Sequence, residues 1–379
     1  MATPQKPLRH REIENDLRRK VIDGVYGVGE MLPGRRDLAR QYDVSTLTIE
    51  RAVDGLVRAG LLRSDDRRGT FVAKKTVEAE PGGGELSIGV VARLFPPQHD
   101  QGFGHNDWVR QIIQSIEQEV SNEDHRTVFY NTFGNDGSSA PLAEAVQTCL
   151  KDAVNGIIVV AFNFAPDEVA QAQVMLEGVD QPAVFVTSTA VIGTSPQVFP
   201  DGVDAGFQAA QHLIRRGCET IAYVSPFRAW WSDERLTGVR AACGRAGLPA
   251  VRTYPSHTTE WRDESVTHEG GYRAGVELLR ELQPKQGVVV TNDAILLGFL
   301  AAASDAGRAL GTDFLTVSFD DIPEARTLRL TSLRAPWDAM GREAARLLRD
   351  SLGGRNESLQ VRLRSRLIPR SSSRWETSG

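Results

Sequence analysis

Two short clusters of hydroxyl and arginine side chains are the residues of this sequence best suited to meeting phosphates. Ser45, Thr46 and Thr48 open a predicted helix, and Arg36 sits on the predicted helix before it. Arg67, Arg68 and Gly69 close a polar tip that begins at Ser64, between two short apolar runs. Hydroxyls and helix N-termini hydrogen-bond to phosphate oxygens and base edges, and guanidinium groups add charge. Catalytic chemistry has no such signature. The chain contains no Gly-x-Ser-x-Gly elbow, Walker lysine loop, HExxH or CxxC. Gly82-Gly83-Gly84-Glu85 precedes a predicted strand rather than following one, which is the wrong order for a phosphate-cradling turn. The seven histidines fall at no metal-ligating spacing. The three cysteines, Cys149, Cys218 and Cys243, lie far apart and read as small buried side chains in a reducing compartment. No catalytic residue, cofactor or metal site is expected.

The elements around the hydroxyl cluster form a recognisable set. Residues 11–22 predict a helix with Ile13, Leu17, Val21 and Ile22 on one face, and a second, short helix runs from about Arg35 to Tyr42. A turn at Asp43-Val44 leads to Ser45, a good N-cap, and to a helix with Leu47, Ile49, Ala52, Val53, Leu56 and Val57 as its apolar set. Two short helices joined by a tight turn, the second opening on hydroxyls, make a helix-turn-helix. The runs 61–63 and 70–72 then predict a two-stranded wing whose basic tip suits a minor groove.

Charge separates this module from the rest. Residues 1–75 hold 16 Lys/Arg against 11 Asp/Glu, whereas the remainder holds 28 against 38. A basic part fits contact with phosphates, and an acidic body avoids it. Residues 76–85 read as a flexible linker, about ten residues with a span of roughly 17 Å. The N-terminus has no apolar segment after its basic residues and no apolar run reaches the roughly 20 residues of a membrane span, so a cytoplasmic protein without membrane contact is expected.

The stretch from Leu32 to Val72 resembles the GntR-type winged helix-turn-helix over about residues 8–75. The resemblance rests on Leu32, Pro33, Arg36, Leu38, Ala39, Val44, Ser45, Thr48, Ala52, Leu56, Gly60 and Gly69-Thr70-Phe71-Val72. It implies an α+β DNA-binding domain in which Arg36, Ser45, Thr46, Thr48, Arg67, Arg68 and Gly69 meet double-stranded DNA. Two departures bear on specificity. Thr46 stands where the family usually has an arginine that grips guanine with two hydrogen bonds, and Arg67 replaces the first glycine of the wing tip.

Residues 86–370 alternate apolar strands with amphipathic helices. Strands are predicted at 86–95, 127–133, 156–162, 182–188, 220–225, 250–256, 287–293 and 314–320, with eight helices from 106–121 to 337–352. Such alternation gives parallel sheets covered on both faces, and the length calls for two lobes with a cleft at the carboxyl ends of the strands. The final residues, 371–379, read as a disordered Ser-rich tail containing Trp375.

This larger part is similar to the LacI-type sensor, a two-lobed domain like the type I periplasmic binding proteins. The matching stretches are the strand from Leu86, the segment from Asp201 to Val224, Arg235 to Gly238, Thr291-Asn292-Asp293, Val317 to Asp321, and Leu330 to Pro336. The resemblance implies that Arg235, Asn292 and Asp320 line the cleft, with Arg93 or Phe95 and Asp201 close by. Arg and carboxylate groups clamp neighbouring sugar hydroxyls, and an aromatic face covers the C–H side of a ring. Trp108, Trp230, Trp231 and Trp337 are candidates for that face. Several of these residues also have plain structural uses: Asp293 and Asp204 as helix caps, Trp230-Trp231 as a dimer contact, Trp337 as packing beneath its helix, and Arg364, Arg366 and Arg370 as a solvated strand face.

The expectation is therefore a homodimeric transcription regulator, a repressor of a pseudo-palindromic operator, whose grip on DNA responds to a small effector, a sugar or sugar derivative. An alternative has the larger domain serving dimerisation or partner-protein binding without a sugar. An aminotransferase-like fusion would need a Schiff-base lysine, and residues 86–370 offer only Lys151 and Lys285. An exported binding protein would need a signal segment.

Overall fold

The computed structural model describes residues 13–14, 16–17, 20–21, 25–58, 61–65, 69–73, 85–95, 105–134, 137–162, 164–255, 259–260, 268–354 and 359–376. Arg67, Arg68 and all but the last residue of the expected linker lie outside them. The chain falls into two compact units, the smaller ending at Leu86 apart from a short later segment.

In the small unit, α1 (Arg35–Gln41) turns Leu38 and Ala39 inward. α2 (Thr46–Arg58) turns Ile49, Ala52, Val53 and Leu56 inward, onto Ile13, Leu17 and Val21. The turn between the helices passes through Asp43 at a φ of 52°, a left-handed conformation that Asp tolerates better than most residues. The result is a helix-turn-helix. Leu47 departs from expectation: it is 57% exposed rather than part of the apolar face. Two residues before Ile49, it lies about 200° away around the helix, on the outer side.

After α2, strands β1 (Leu62–Asp65) and β2 (Gly69–Val72) pair antiparallel, with Leu62 opposite Val72 and Asp65 opposite Gly69. Residues 29–32 run along the other side of β2 through Leu32 N–H to Thr70 O (2.8 Å) and Val72 N–H to Glu30 O (2.9 Å). Gly69 has a φ of 113°, and a Cβ there would sit 3.1 Å from the Met31 sulfur, so glycine is required at this corner.

The large unit contains two six-stranded sheets. The first runs β15–β7–β6–β5–β3–β4, all parallel, and comprises β3 (Ser87–Ala92), β4 (Arg126–Asn131), β5 (Gly156–Val160), β6 (Ala183–Val186), β7 (Gln197–Pro200) and β15 (Gln360–Leu363). The second runs β10–β8–β12–β13–β14–β16 and comprises β8 (Thr220–Val224), β10 (Arg252–Tyr254), β12 (Gln286–Val290), β13 (Phe314–Phe319), β14 (Ser332–Arg334) and β16 (Arg366–Ile368). Only β16 is antiparallel, at the edge. The central strands are apolar throughout because helices cover both faces. A minor parallel pair joins β9 (Phe227–Arg228) and β11 (Thr259–Glu260).

The helices are α3 (His105–Ser121), α4 (Leu142–Lys151), α5 (Pro166–Glu177), α6 (Gly202–Arg215), α7 (Trp230–Ala246), α8 (His268–Arg280), α9 (Asp293–Asp305), α10 (Pro323–Thr327) and α11 (Trp337–Leu352). α6 and α7 cross at Gly206 and Gly238. A Cβ on Gly206 would lie 1.8 Å from Arg235 O, and one on Gly238 would lie 1.9 Å from Val203 O. Backbone meets backbone there.

The chain passes between the lobes three times: after β7, after β14 and between β15 and β16. Asp201 N–H donates to Leu363 O (2.9 Å), and Arg364 grips Asp204 with two nitrogens (2.7 and 3.1 Å).

The tail also departs from expectation, because residues 371–376 are packed rather than disordered. Ser371–Ser373 form a 3-10 turn with Ser372 and Ser373 buried. Ser372 Oγ receives Thr331 N–H (2.8 Å), and the Trp375 indole donates to Arg216 O (2.8 Å). Hydroxyls matched to an otherwise unpaired sheet backbone explain how a polar tail is buried. Residues 377–379 lie outside the described residues. The apolar pattern missed β7, β14, β15, β16 and the β9–β11 pair, all four residues or shorter.

Candidate functional site

Apart from Arg235, each polar residue expected in the cleft sits just past a strand. Arg93 follows β3, Asp201 follows β7, Asn292 is two residues beyond β12, and Asp320 follows β13. Parallel sheets place ligands there, because all strand ends and helix N-termini converge on one side.

Arg235 is the centre of the best-defined cluster. It stands in the second turn of α7, where its guanidinium donates to Thr291 O and reaches Asp320 Oδ1 at 3.5 Å. It lies over two rings, Trp231 at 4.8 Å and Phe319 at 4.3 Å from their centroids. Stacked faces and a carboxylate hold a guanidinium in one plane, with its remaining donors available. Asp320 has a φ of 97°, a strained backbone for any residue with a Cβ. Such strain marks a place where surrounding structure imposes the geometry.

Asn292 and Asp201 are helix caps. Asn292 Oδ1 accepts Ile295 N–H and Asp201 Oδ1 accepts Asp204 N–H, each at 2.9 Å. The caps are thus these two residues, not Asp293 and Asp204, because each helix begins before the expected position. Asn292 is only 6% exposed.

In the first lobe, Trp108, Phe162 and Trp337 form an aromatic trio with ring centroids 5.2 to 6.0 Å apart. Trp108 comes from α3, Phe162 follows β5, and Trp337 opens α11 after the second lobe crossing. Trp337 is buried, so its packing role holds together with its place in the trio. Phe95 meets Phe133 edge-on at 5.1 Å. Arg93 is engaged by Glu168 (3.1 Å), Thr132 (3.2 Å) and Ala140 O (3.3 Å), above the Phe164 ring. It ties together loops of the first lobe. Trp230 is 55% exposed and takes no part in these clusters, whereas Trp231 meets Phe227 in a tilted ring contact at 5.5 Å and lies under Arg235.

Three carboxyls around these groups are electrostatically distinct. Asp293 is completely buried, accepting from Ser318, from Ser332 (2.9 Å) and from Ile322 N–H (3.0 Å). Burial, reinforced by the charge of Asp320, pushes its carboxyl up to about 7. Asp321 is also buried, which favours the neutral acid, yet hydrogen bonds from Arg334 and Arg370 hold it below its ordinary value. Arg370 and Arg364 are therefore ion-paired and not simply a solvated face. Glu234 on α7 accepts from Thr189 Oγ1 of the first lobe (3.0 Å), and burial raises it.

In the small unit, Ser45 caps α2: its Oγ accepts Thr48 N–H (3.2 Å) and lies 2.8 Å from Thr48 Oγ1. Arg36, Ser45 and Thr46 are exposed. Among the described residues no group of three His, Cys, Asp or Glu is placed to hold a metal, and no helix is long and apolar enough to cross a membrane.

Comparison with known proteins fits both units. Residues 9–72 match the family of bacterial regulatory proteins named gntR, and residues 210–373 match the periplasmic binding protein-like domain. This chain joins a gntR-family helix-turn-helix unit to a periplasmic-binding-protein-like domain. It is similar to the HTH-type transcriptional repressor PurR of Proteus mirabilis, 23% identical over 351 residues, or 89% of this chain and 96% of the relative. It is likewise similar to the arabinose metabolism transcriptional repressor of Geobacillus stearothermophilus, 23% identical over 357 residues and 90% of each chain. A LacI-family regulator from Enterococcus faecium with bound ribose shares the fold at a TM-score of 0.57 and 22% identity, covering 77% of this chain and all of that one. A LacI-family protein from Chloroflexus aggregans gives 0.60 at 24% identity, covering 76% and 98%.

Within the binding-protein-like domain, sequence reading selected Arg235 and Asp320, and they meet. Of the adjacent candidates Trp230 and Trp231, it is Trp231 that lies under Arg235, while Trp230 is exposed. Sequence reading missed Phe162 and Phe319, which sit inside apolar strand-end runs and carry no polar marker. In the gntR-family unit it placed Leu47 in the core.

Proposed function

We propose that this chain is a cytoplasmic, homodimeric transcription repressor that reads a pseudo-palindromic operator and responds to a sugar or sugar derivative. The gntR-family unit is a winged helix: α2 enters the major groove, and the β1–β2 hairpin is the wing. Arg36, Ser45, Thr46 and Thr48 contact phosphates and base edges from the helices, and Arg67, Arg68 and Gly69 do so from the hairpin tip. The effector occupies the cleft of the large unit. Arg235 and Asp320 bond its hydroxyls, Asn292, Asp201 and Arg93 stand nearby, and the aromatic groups cover its ring.

The observation that carries this reading is the Arg235–Asp320 pair at the strand ends of a two-lobed domain attached to a DNA-reading unit. A guanidinium already fixed by rings offers preorganised donors, and a carboxylate beside it offers acceptors, which suits adjacent hydroxyls.

The test uses the full-length chain. Genomic fragments retained by the protein identify its operator, and thermal shift then screens ribose, arabinose and other sugars and their phosphates. A ligand at 100 times its dissociation constant adds about 2.7 kcal/mol of stability. The expected result is a sugar that raises the melting temperature and changes operator binding. Operator binding with no response to any such compound would favour a large domain that serves dimerisation or a partner protein.

A further inference from the structure

The outward face of α2 carries one apolar side chain where polar ones are the rule. In its first turn the hydroxyls of Ser45 and Thr48 are turned to each other and to the helix end. The inward face is filled by Ile49, Ala52, Val53 and Leu56, each at most 1% exposed. Thr46, Leu47, Glu50, Arg51 and Asp54 remain on the outside, and Leu47 is 57% exposed. Glu50 and Arg51 follow Leu47 by three and four positions, so the three share one stripe.

A lone exposed leucine is ordinary on a protein surface. This one is different because of its position. In a helix-turn-helix the first residues of the second helix are those that approach base edges in the major groove. Thr46 beside it has a single hydroxyl and cannot make the two-pronged contact with guanine that an arginine makes. The groove offers one apolar feature, the C5-methyl group of thymine, and small apolar side chains recognise it by excluding water.

We infer that Leu47 is a specificity-determining residue, reading a thymine through its C5-methyl in each half-site of the operator. The inference rests on the DNA-reading part of the proposed function and adds to it a base preference. Hydroxyls from Ser45 and Thr48 fix the helix end, and Leu47 selects an A·T pair of one orientation at a defined step.

The experiment selects duplexes from a randomised double-stranded library with the full-length wild type, with Leu47→Ala and with Leu47→Met. Each thymine of the best wild-type site is then replaced in turn by deoxyuridine, which removes only the methyl. One thymine per half-site is expected to matter, its loss lowering wild-type affinity by about fourfold for one buried methyl. Leu47→Ala should bind the thymine and deoxyuridine duplexes equally, while Leu47→Met keeps the preference. Melting temperatures of both variants should equal that of the wild type, since the side chain is outside the core.

The inference falls if no deoxyuridine position separates wild type from Leu47→Ala, or if both proteins enrich the same sequence with the same affinity. It also falls if Leu47→Ala loses affinity equally for every duplex, which would assign Leu47 a scaffold or protein-contact role. If the wild type enriches no sequence at all, the DNA-reading function itself fails, a result distinct from the others.

Discussion

Arg235 and Asp320, 85 positions apart in the chain, approach to 3.5 Å with 13% and 11% of their side chains exposed. The pair bridges the second turn of α7 and the end of β13, and Trp231 and Phe319 hold the guanidinium from its faces. Charge alone does not describe this site, because a lysine would keep the charge and lose the stacking and the planar donor set. Arg235→Lys is therefore expected to abolish the response to effector while operator binding in its absence persists. Removing the ring contacts and one charged hydrogen bond should also lower stability by about 2 kcal/mol, read by urea denaturation. A fully responsive Arg235→Lys protein would remove the planar guanidinium from the mechanism.

Gly238 belongs to the same short segment as Arg235, but its role is steric. A Cβ there would lie 1.9 Å from Val203 O and 2.6 Å from Phe207 N, atoms of the facing backbone that have no rotamer to yield. Gly238→Ala should push α6 and α7 apart and cost at least about 3 kcal/mol. The measurement is the shift in denaturation midpoint, with Gly244→Ala as a control, since nothing lies within 4 Å of a Cβ at that position of the same helix. Equal shifts in the two variants would contradict the close-approach account.

Long apolar strands and amphipathic helices announced the large unit, because each covers several periods of its own pattern. β14, β15 and β16 did not, since three or four residues with arginines among them carry no periodicity. β15 and β16 take their places at sheet edges after the chain crosses between lobes, and β14 fits between β13 and β16. Arg235 and Asp320 were legible through the stretches that resemble the LacI-type sensor, Arg235 to Gly238 and Val317 to Asp321. Phe162 and Phe319 were not, because they look like core until the strand ends are known. Leu47 was misplaced because a leucine two residues before Ile49 fits an apolar set loosely drawn and fails the 100° rotation per residue.

The packed tail gives a prediction of its own. Ser372 and Ser373 supply hydroxyls to Thr331, and Ser372 also donates to Thr316 O (3.1 Å), inside the second sheet. A chain ending at Arg370 would leave Thr331 N–H and Thr316 O without these partners. Each buried polar group so exposed costs about 1–3 kcal/mol. The truncated protein should melt well below the full chain, and Trp375→Ala, which removes the indole bond to Arg216 O and that ring's packing on the core but leaves the serine hydroxyls in place, should lose less. A truncation with unchanged melting would show that residues 371–376 add nothing to the fold.

Asp293 makes the second lobe sensitive to pH. Its carboxyl is held near 7 against an ordinary value of 3.8, first by burial and then by the charge of Asp320. A carboxyl raised in the folded state binds its proton more tightly there than in the unfolded chain. Its stabilising contribution is complete below about pH 3.8 and disappears as pH rises through 7. Each unit of difference is worth about 1.4 kcal/mol, so the effect across pH 5 to 8 amounts to a few kcal/mol. Asp293→Asn has no such proton to lose. Its amide oxygen still accepts from Ile322 N–H, so the fold is expected to persist with a modest constant loss. Over pH 5 to 8 the wild type should therefore lose stability relative to Asp293→Asn, and the two melting curves should converge as pH rises. Asp320→Asn should weaken the effect by removing the neighbouring charge, shifting the wild-type slope to lower pH. Parallel pH profiles for wild type and Asp293→Asn would show instead that this carboxyl is ionised in the folded protein throughout the range.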